Sequence, residues 1–96
     1  MNDKLRSESL DELFEAILTL ETVDECYAFF EDLSTVTELK AISQRFNVAK
    51  LLLDKRVYND IVSETGASTA TISRVNRSLS FGNDGYKLVL ERLGKL

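Results

Sequence analysis

The residues best equipped for chemistry in this chain are the hydroxyl and guanidinium groups of one short run. Ser68, Thr69, Ala70, Thr71, Ser73, Arg74, Asn76 and Arg77 stand close together with no acid among them. Hydroxyls donate and accept hydrogen bonds, and guanidinium forks pair with phosphates or with the edge of guanine. The Ala70 methyl adds a contact of the kind that packs on a thymine methyl. This is recognition chemistry. Bond-making chemistry finds little support, because the chain has no histidine, a single cysteine and no glycine-rich phosphate loop. Its Asp and Glu fall at helix-cap and surface positions and form no isolated pair. The expectation is a protein that is not an enzyme and holds no metal. Cys26, lacking a second thiol or a histidine nearby, reads as a small core residue.

Two short helices would position that run. YNDIVSETGASTATISRVNRSL, residues 58–79, reads as a helix over Tyr58–Thr65, a turn at Gly66 and a second helix opened by Ser68. Gly66 supplies the left-handed conformation that closes a helix, and Ser68 supplies an N-terminal cap. Ile61, Val62, Ala67, Ile72 and Val75 are spaced as the small internal core of a helix-turn-helix. Their inward placement leaves Thr69, Ala70, Thr71, Ser73, Arg74, Asn76 and Arg77 outside. A helix so decorated suits end-on entry to the major groove of duplex DNA. Lys55 and Arg56, just before the first helix, are placed to hold the phosphate backbone. Val62 stands where such units commonly carry Ala, which predicts slightly more separated helices. The same unit serves as a protein-docking surface in some proteins, so an adaptor of the transcription machinery is the alternative reading.

The rest of the chain must carry this unit. Ninety-six residues make one domain (1–96), and one this small gains stability by dimerising. There is no proline and there are only four glycines, so helix can run through most of the length. Ser9 with Glu12, Thr22 with Glu25 and Thr35 with Glu38 each have capping-box spacing. They predict helices near 10–20, 23–33 and 36–55, and a C-terminal helix is expected over 84–93. The first carries Leu10, Leu13, Phe14, Ile17 and Leu18, and the second Val23, Cys26, Tyr27, Phe30 and Leu33. The third has one apolar seam of Leu39, Ile42, Phe46, Ala49 and Leu53 and another of Ala41, Val48 and Leu52. A helix apolar on two sides needs cover on both, from a second subunit or from the later helices. Residues 1–55 are thus expected to form a helical dimerisation core.

Charge divides the chain. Residues 1–40 hold eleven acids and three bases, whereas residues 41–96 hold five acids and nine bases. A basic half facing DNA and an acidic body would fit that division, although uneven surface charge can arise without function. No stretch has the length of a membrane span, and MNDKLRSESLDE has no apolar signal-peptide run, so a cytoplasmic protein is expected.

The chain resembles the Trp repressor family, and more closely its Trp-repressor-like YerC/YecD group, over residues 10–93. The likeness is sharpest in AISQRFNVAKLLLDKRVYNDIVSETGASTATISRVNRSL, with GASTATISR at its centre and Phe81-Gly82-Asn83-Asp84 downstream. The resemblance implies an all-α, interlocked helical homodimer that acts as a sequence-specific transcription repressor. It also implies that Ser68, Thr69, Ala70, Thr71 and Ser73 face the operator. The residues that bind the tryptophan corepressor in that family correspond to Thr35, Arg45, Arg74 and Ser78. The glycine after the recognition-helix arginine, which makes room for the indole, is Val75 here. That argues against tryptophan and for a regulator with no cofactor or with a different small-molecule effector. Arg45 lies between the two apolar faces of the third helix, where a guanidinium needs an anion. A carboxylate such as Glu38 or Asp32 would serve, and so would a ligand carboxylate or phosphate shared with Arg74.

Overall fold

The computed structural model describes residues 3–96, and every regular element among them is an α-helix. In chain order these are α1 (Glu8–Ile17), α2 (Val23–Leu33), α3 (Val36–Leu53), α4 (Tyr58–Thr65), α5 (Thr69–Phe81) and α6 (Gly85–Arg92). They fall into two compact units, Met1–Val36 and Thr37–Leu96.

In the first unit α1 begins earlier than the Ser9–Glu12 spacing suggests. Ser7, with extended backbone, accepts from the Leu10 N–H at 3.1 Å and so caps the helix two residues sooner. It also stops at Ile17 instead of near 20. The Thr19 hydroxyl donates to the Ala16 carbonyl at 2.6 Å, taking an acceptor at the helix end. The start of α2 is as expected: Thr22 accepts from the Glu25 N–H, while the Glu25 carboxylate accepts from the Glu21 N–H. Neither helix buries a residue. Leu18 is 82% exposed and Tyr27 64% exposed, although both lie on the apolar stripes. Cys26 is exposed as well, which corrects its reading as a core residue. Val23, Tyr27 and Leu33 on the same stripe are exposed too.

The second unit has the core. Val48 and Ala49 from α3, Ile61 from α4, Ala67 from the turn, and Ile72 and Val75 from α5 are all buried together. Leu51, Leu52, Leu79 and Tyr86 pack against them. Each fully buried Ile or Val contributes roughly 1.5–3 kcal/mol through lost apolar contact with water. Val62, expected in this core, is 36% exposed. Ile61 is already turned fully inward, and its neighbour lies a hundred degrees away around the helix.

α3 ends at Leu53, not at 55, in a tight reversal. The Arg56 N–H donates to the Leu51 carbonyl and the Lys55 N–H to the Leu52 carbonyl, each at 3.0 Å. These are the paired bonds of a Schellman cap, with Lys55 at φ 61° in the left-handed position that glycine normally takes. The two outer helices shift slightly: α5 runs to Phe81, beyond 79, and α6 spans Gly85–Arg92 within the expected 84–93.

Candidate nucleic-acid interface

The geometry of the turn between α4 and α5 follows from a few short-range bonds. Gly66 sits at φ 71°, the left-handed region, and its N–H donates to the Val62 carbonyl at 2.9 Å. The Thr65 hydroxyl donates to the Ile61 carbonyl at 2.7 Å and accepts from the Ala67 N–H at 3.1 Å. From α3, the Gln44 side-chain amide donates to the Thr65 carbonyl at 3.2 Å. Ala67 then drops into the core and Ser68 caps α5, its Oγ accepting from the Thr71 N–H at 3.1 Å. The Ser68 hydroxyl also donates to Thr71 Oγ1 at 3.1 Å. Buried Ile72 and Val75 fix which way α5 is rolled.

That roll leaves Thr69, Ala70, Ser73, Arg74, Asn76 and Arg77 exposed, as their spacing predicts. Thr71 is half-buried, because the Ser68 cap draws it toward the turn. Lys55, Arg74 and Arg77 take part in no ion pair among the described residues. α5 has no acid in its first turn, so the partial positive charge of its N-terminus is unopposed.

Arg56 differs from the other cations. Its guanidinium binds the Glu64 carboxylate and lies 3.9 Å from Asp60. The hydrogen bond and charge of Glu64 hold its pKa above the usual arginine value, with Asp60 and Asp54 adding to the effect. A base with a raised pKa stabilises the fold below its ordinary titration range and loses that contribution only above it. The pairing therefore persists through neutral pH and anchors Arg56 along α4.

The four residues aligned with a corepressor site divide between the units. Thr35 belongs to the first, and Arg45, Arg74 and Ser78 to the second. Arg74 and Ser78 sit one turn apart on α5, where the Ser78 hydroxyl donates to the Arg74 carbonyl at 3.3 Å. Arg45 is half-buried, as its place between the seams predicts, yet no described carboxylate of its own unit lies within ion-pair distance of it. Glu38 therefore does not serve as its partner. Val75 is 1% exposed, so its side chain fills the space that a glycine would leave. Ser78 also lines a cavity of about 490 Å³ with Phe46, Gly82, Asn83, Tyr86 and Val89, which the sequence pattern did not reveal. It escaped notice because its walls come from three helices. A Cβ on Gly82 would run into the Ser78 carbonyl, so that corner needs glycine.

Comparison with known proteins decides the family. The description Trp repressor protein matches residues 8–94. The chain belongs to the Trp repressor family. It is 52% identical over 91 residues to the uncharacterized protein YerC of Bacillus subtilis, covering 95% of this chain and 88% of YerC. A TrpR-like protein from Eubacterium eligens has the same fold at TM-score 0.95 and 59% identity, covering 99% of this chain and 98% of its own. A Trp-repressor candidate from Staphylococcus aureus superposes at TM-score 0.96 with 55% identity, over 100% and 97% of the two chains. The Trp repressor family is one of DNA-binding regulators, which agrees with the exposed, acid-free face of α5. Among the described residues, no helix is long and apolar enough to cross a membrane.

Proposed function

We propose that this chain is a sequence-specific, homodimeric transcription regulator that represses by seating the N-terminal half of α5 in the major groove. The observation that carries the reading is the outer face of α5. Thr69, Ala70, Ser73, Arg74, Asn76 and Arg77 are all exposed on a helix whose roll is fixed by buried Ile72 and Val75. Thr69, Ala70 and Ser73 lie near the end that meets base edges in this docking mode. Arg74, Arg77 and Lys55 supply charge for phosphates, whereas Arg56 acts through α4 because Glu64 already binds it. Ser68 and Thr71 act chiefly by shaping the helix start.

The homodimer rests on the first unit, whose two amphipathic helices bury nothing within one chain. A second copy is the natural cover for such stripes in a protein of this size. Arg45, half-buried and without a carboxylate partner among the described residues of its own unit, is the residue that would hold the acid group of a small effector. The space filled by Val75 argues against tryptophan as that effector.

Salt titration of DNA binding tests the reading. The observed affinity should fall linearly with salt on logarithmic axes, through counterion release. Arg74→Ala should weaken binding by about 1–3 kcal/mol if the guanidinium meets a base, or lower the salt slope by about 1 if it meets a phosphate. A flat salt response in wild type, with Arg74→Ala indistinguishable from it, contradicts the proposal and favours a protein-docking role.

A further inference from the structure

α3 has a third face that neither apolar seam uses. Lys40, Ser43, Gln44, Asn47 and Lys50 recur at helical spacing along it. With Leu51, and with Glu64 and Thr65 from the end of α4, they line an open groove of about 600 Å³. Its polar side chains, besides one carboxylate, are two ammonium groups, two amides and two hydroxyls, of which that of Thr65 already donates to the Ile61 carbonyl. The single lining carboxylate, Glu64, is bound by Arg56, so it offers little opposing charge. The groove adjoins the candidate interface directly. Gln44 holds the Thr65 carbonyl at 3.2 Å, and three residues after Thr65 comes Ser68, the cap of α5.

We infer that this groove is a second phosphate-binding surface, which follows the DNA backbone beside the segment that α5 reads. The inference rests on the DNA-binding reading above. Polyanion chemistry fits the lining better than a small apolar ligand does, since two cations flank neutral donors along one helix face. The ammonium of Lys50 lies 5.6 Å from the centroid of Phe46, a contact that holds its stem against the helix while leaving donors free. Continuity with the α5 cap favours duplex DNA over an acidic protein as the occupant. Contacts of this kind add affinity and salt dependence without sequence preference.

The experiment measures binding of sheared duplex DNA of mixed sequence, across a range of salt, by the whole chain and by the Lys40→Gln/Lys50→Gln double variant. Each ammonium that meets a phosphate contributes about 0.9 to the logarithmic salt slope. The double variant should therefore lose about 1.8 per protomer. A second variant, Asn47→Asp, places a carboxylate in the groove and should weaken binding at low salt with little effect at high salt. Lys87→Gln, a charge change on α6 outside the groove at a residue already paired with Asp84, should leave the slope unchanged within error. Unchanged slopes in both groove variants, with wild-type binding intact, overturn this inference and leave the α5 reading standing. Loss of poly-glutamate binding in the double variant, with the DNA slope unchanged, overturns it in favour of an acidic protein partner. Absence of salt-dependent DNA binding by wild type overturns both.

Discussion

At the scale of single residues, side chains divide by whether their task is local or shared with another chain. Arg74 and Arg77 are exposed and, among the described residues, in no ion pair, whereas Arg56, of the same type, is bound by Glu64. Sequence spacing puts Arg56 beside the interface but does not show that Glu64, eight residues on, turns back toward it. Val75 makes the opposite case. Its inward position was legible from the period of the apolar residues, and it is 1% exposed. Because it occupies the place a glycine would leave open, isothermal titration with tryptophan should show no saturable heat. Saturable binding, lost in Arg45→Ala, would mean that the indole is accommodated despite the valine. Val62 lies outside the core that its apolar type suggests, because adjacent apolar residues compete for one inward direction and Ile61 takes it.

At the scale of elements, helix starts and stops follow local bonding. Thr22, Gly66 and Ser68 perform the capping roles that their types suggest. α1 shows the limit of that logic, since Ser7 and Ser9 are chemically equal caps and only backbone conformation selects Ser7. The end of α3 was less legible, because lysine rarely occupies a left-handed position. Lys55 at φ 61° costs roughly 1 kcal/mol relative to glycine. Lys55→Gly should accordingly raise unfolding free energy by about 1 kcal/mol in urea titration, with the slope against denaturant unchanged. It should also weaken DNA binding at low salt, since the strained residue carries a charge beside the interface. Greater stability with unaltered binding would assign Lys55 no part in recognition. Lower stability would contradict the Schellman geometry.

At the scale of the whole molecule, the helical class and the succession of α4, turn and α5 were legible because periodicity and turn chemistry agree there. The groove on α3 and the cavity beside Ser78 were not, because their walls come from residues far apart in sequence. The proposed homodimer would cover the exposed apolar residues of α1 and α2. Leu18 is 82% exposed, and substitution at so open a position normally changes stability by under about 0.5 kcal/mol. In a homodimer that covers this stripe, Leu18→Glu should shift sedimentation toward monomer and lower the thermal midpoint. A variant that sediments and melts like wild type would remove α1 from the interface. The most direct test of the central claim is selection of bound duplexes from a random pool by the whole chain. Enrichment of an inverted repeat with half-sites about one helical turn apart is the predicted result. A pool that stays random after repeated rounds would contradict the claim that the outer face of α5 reads DNA sequence.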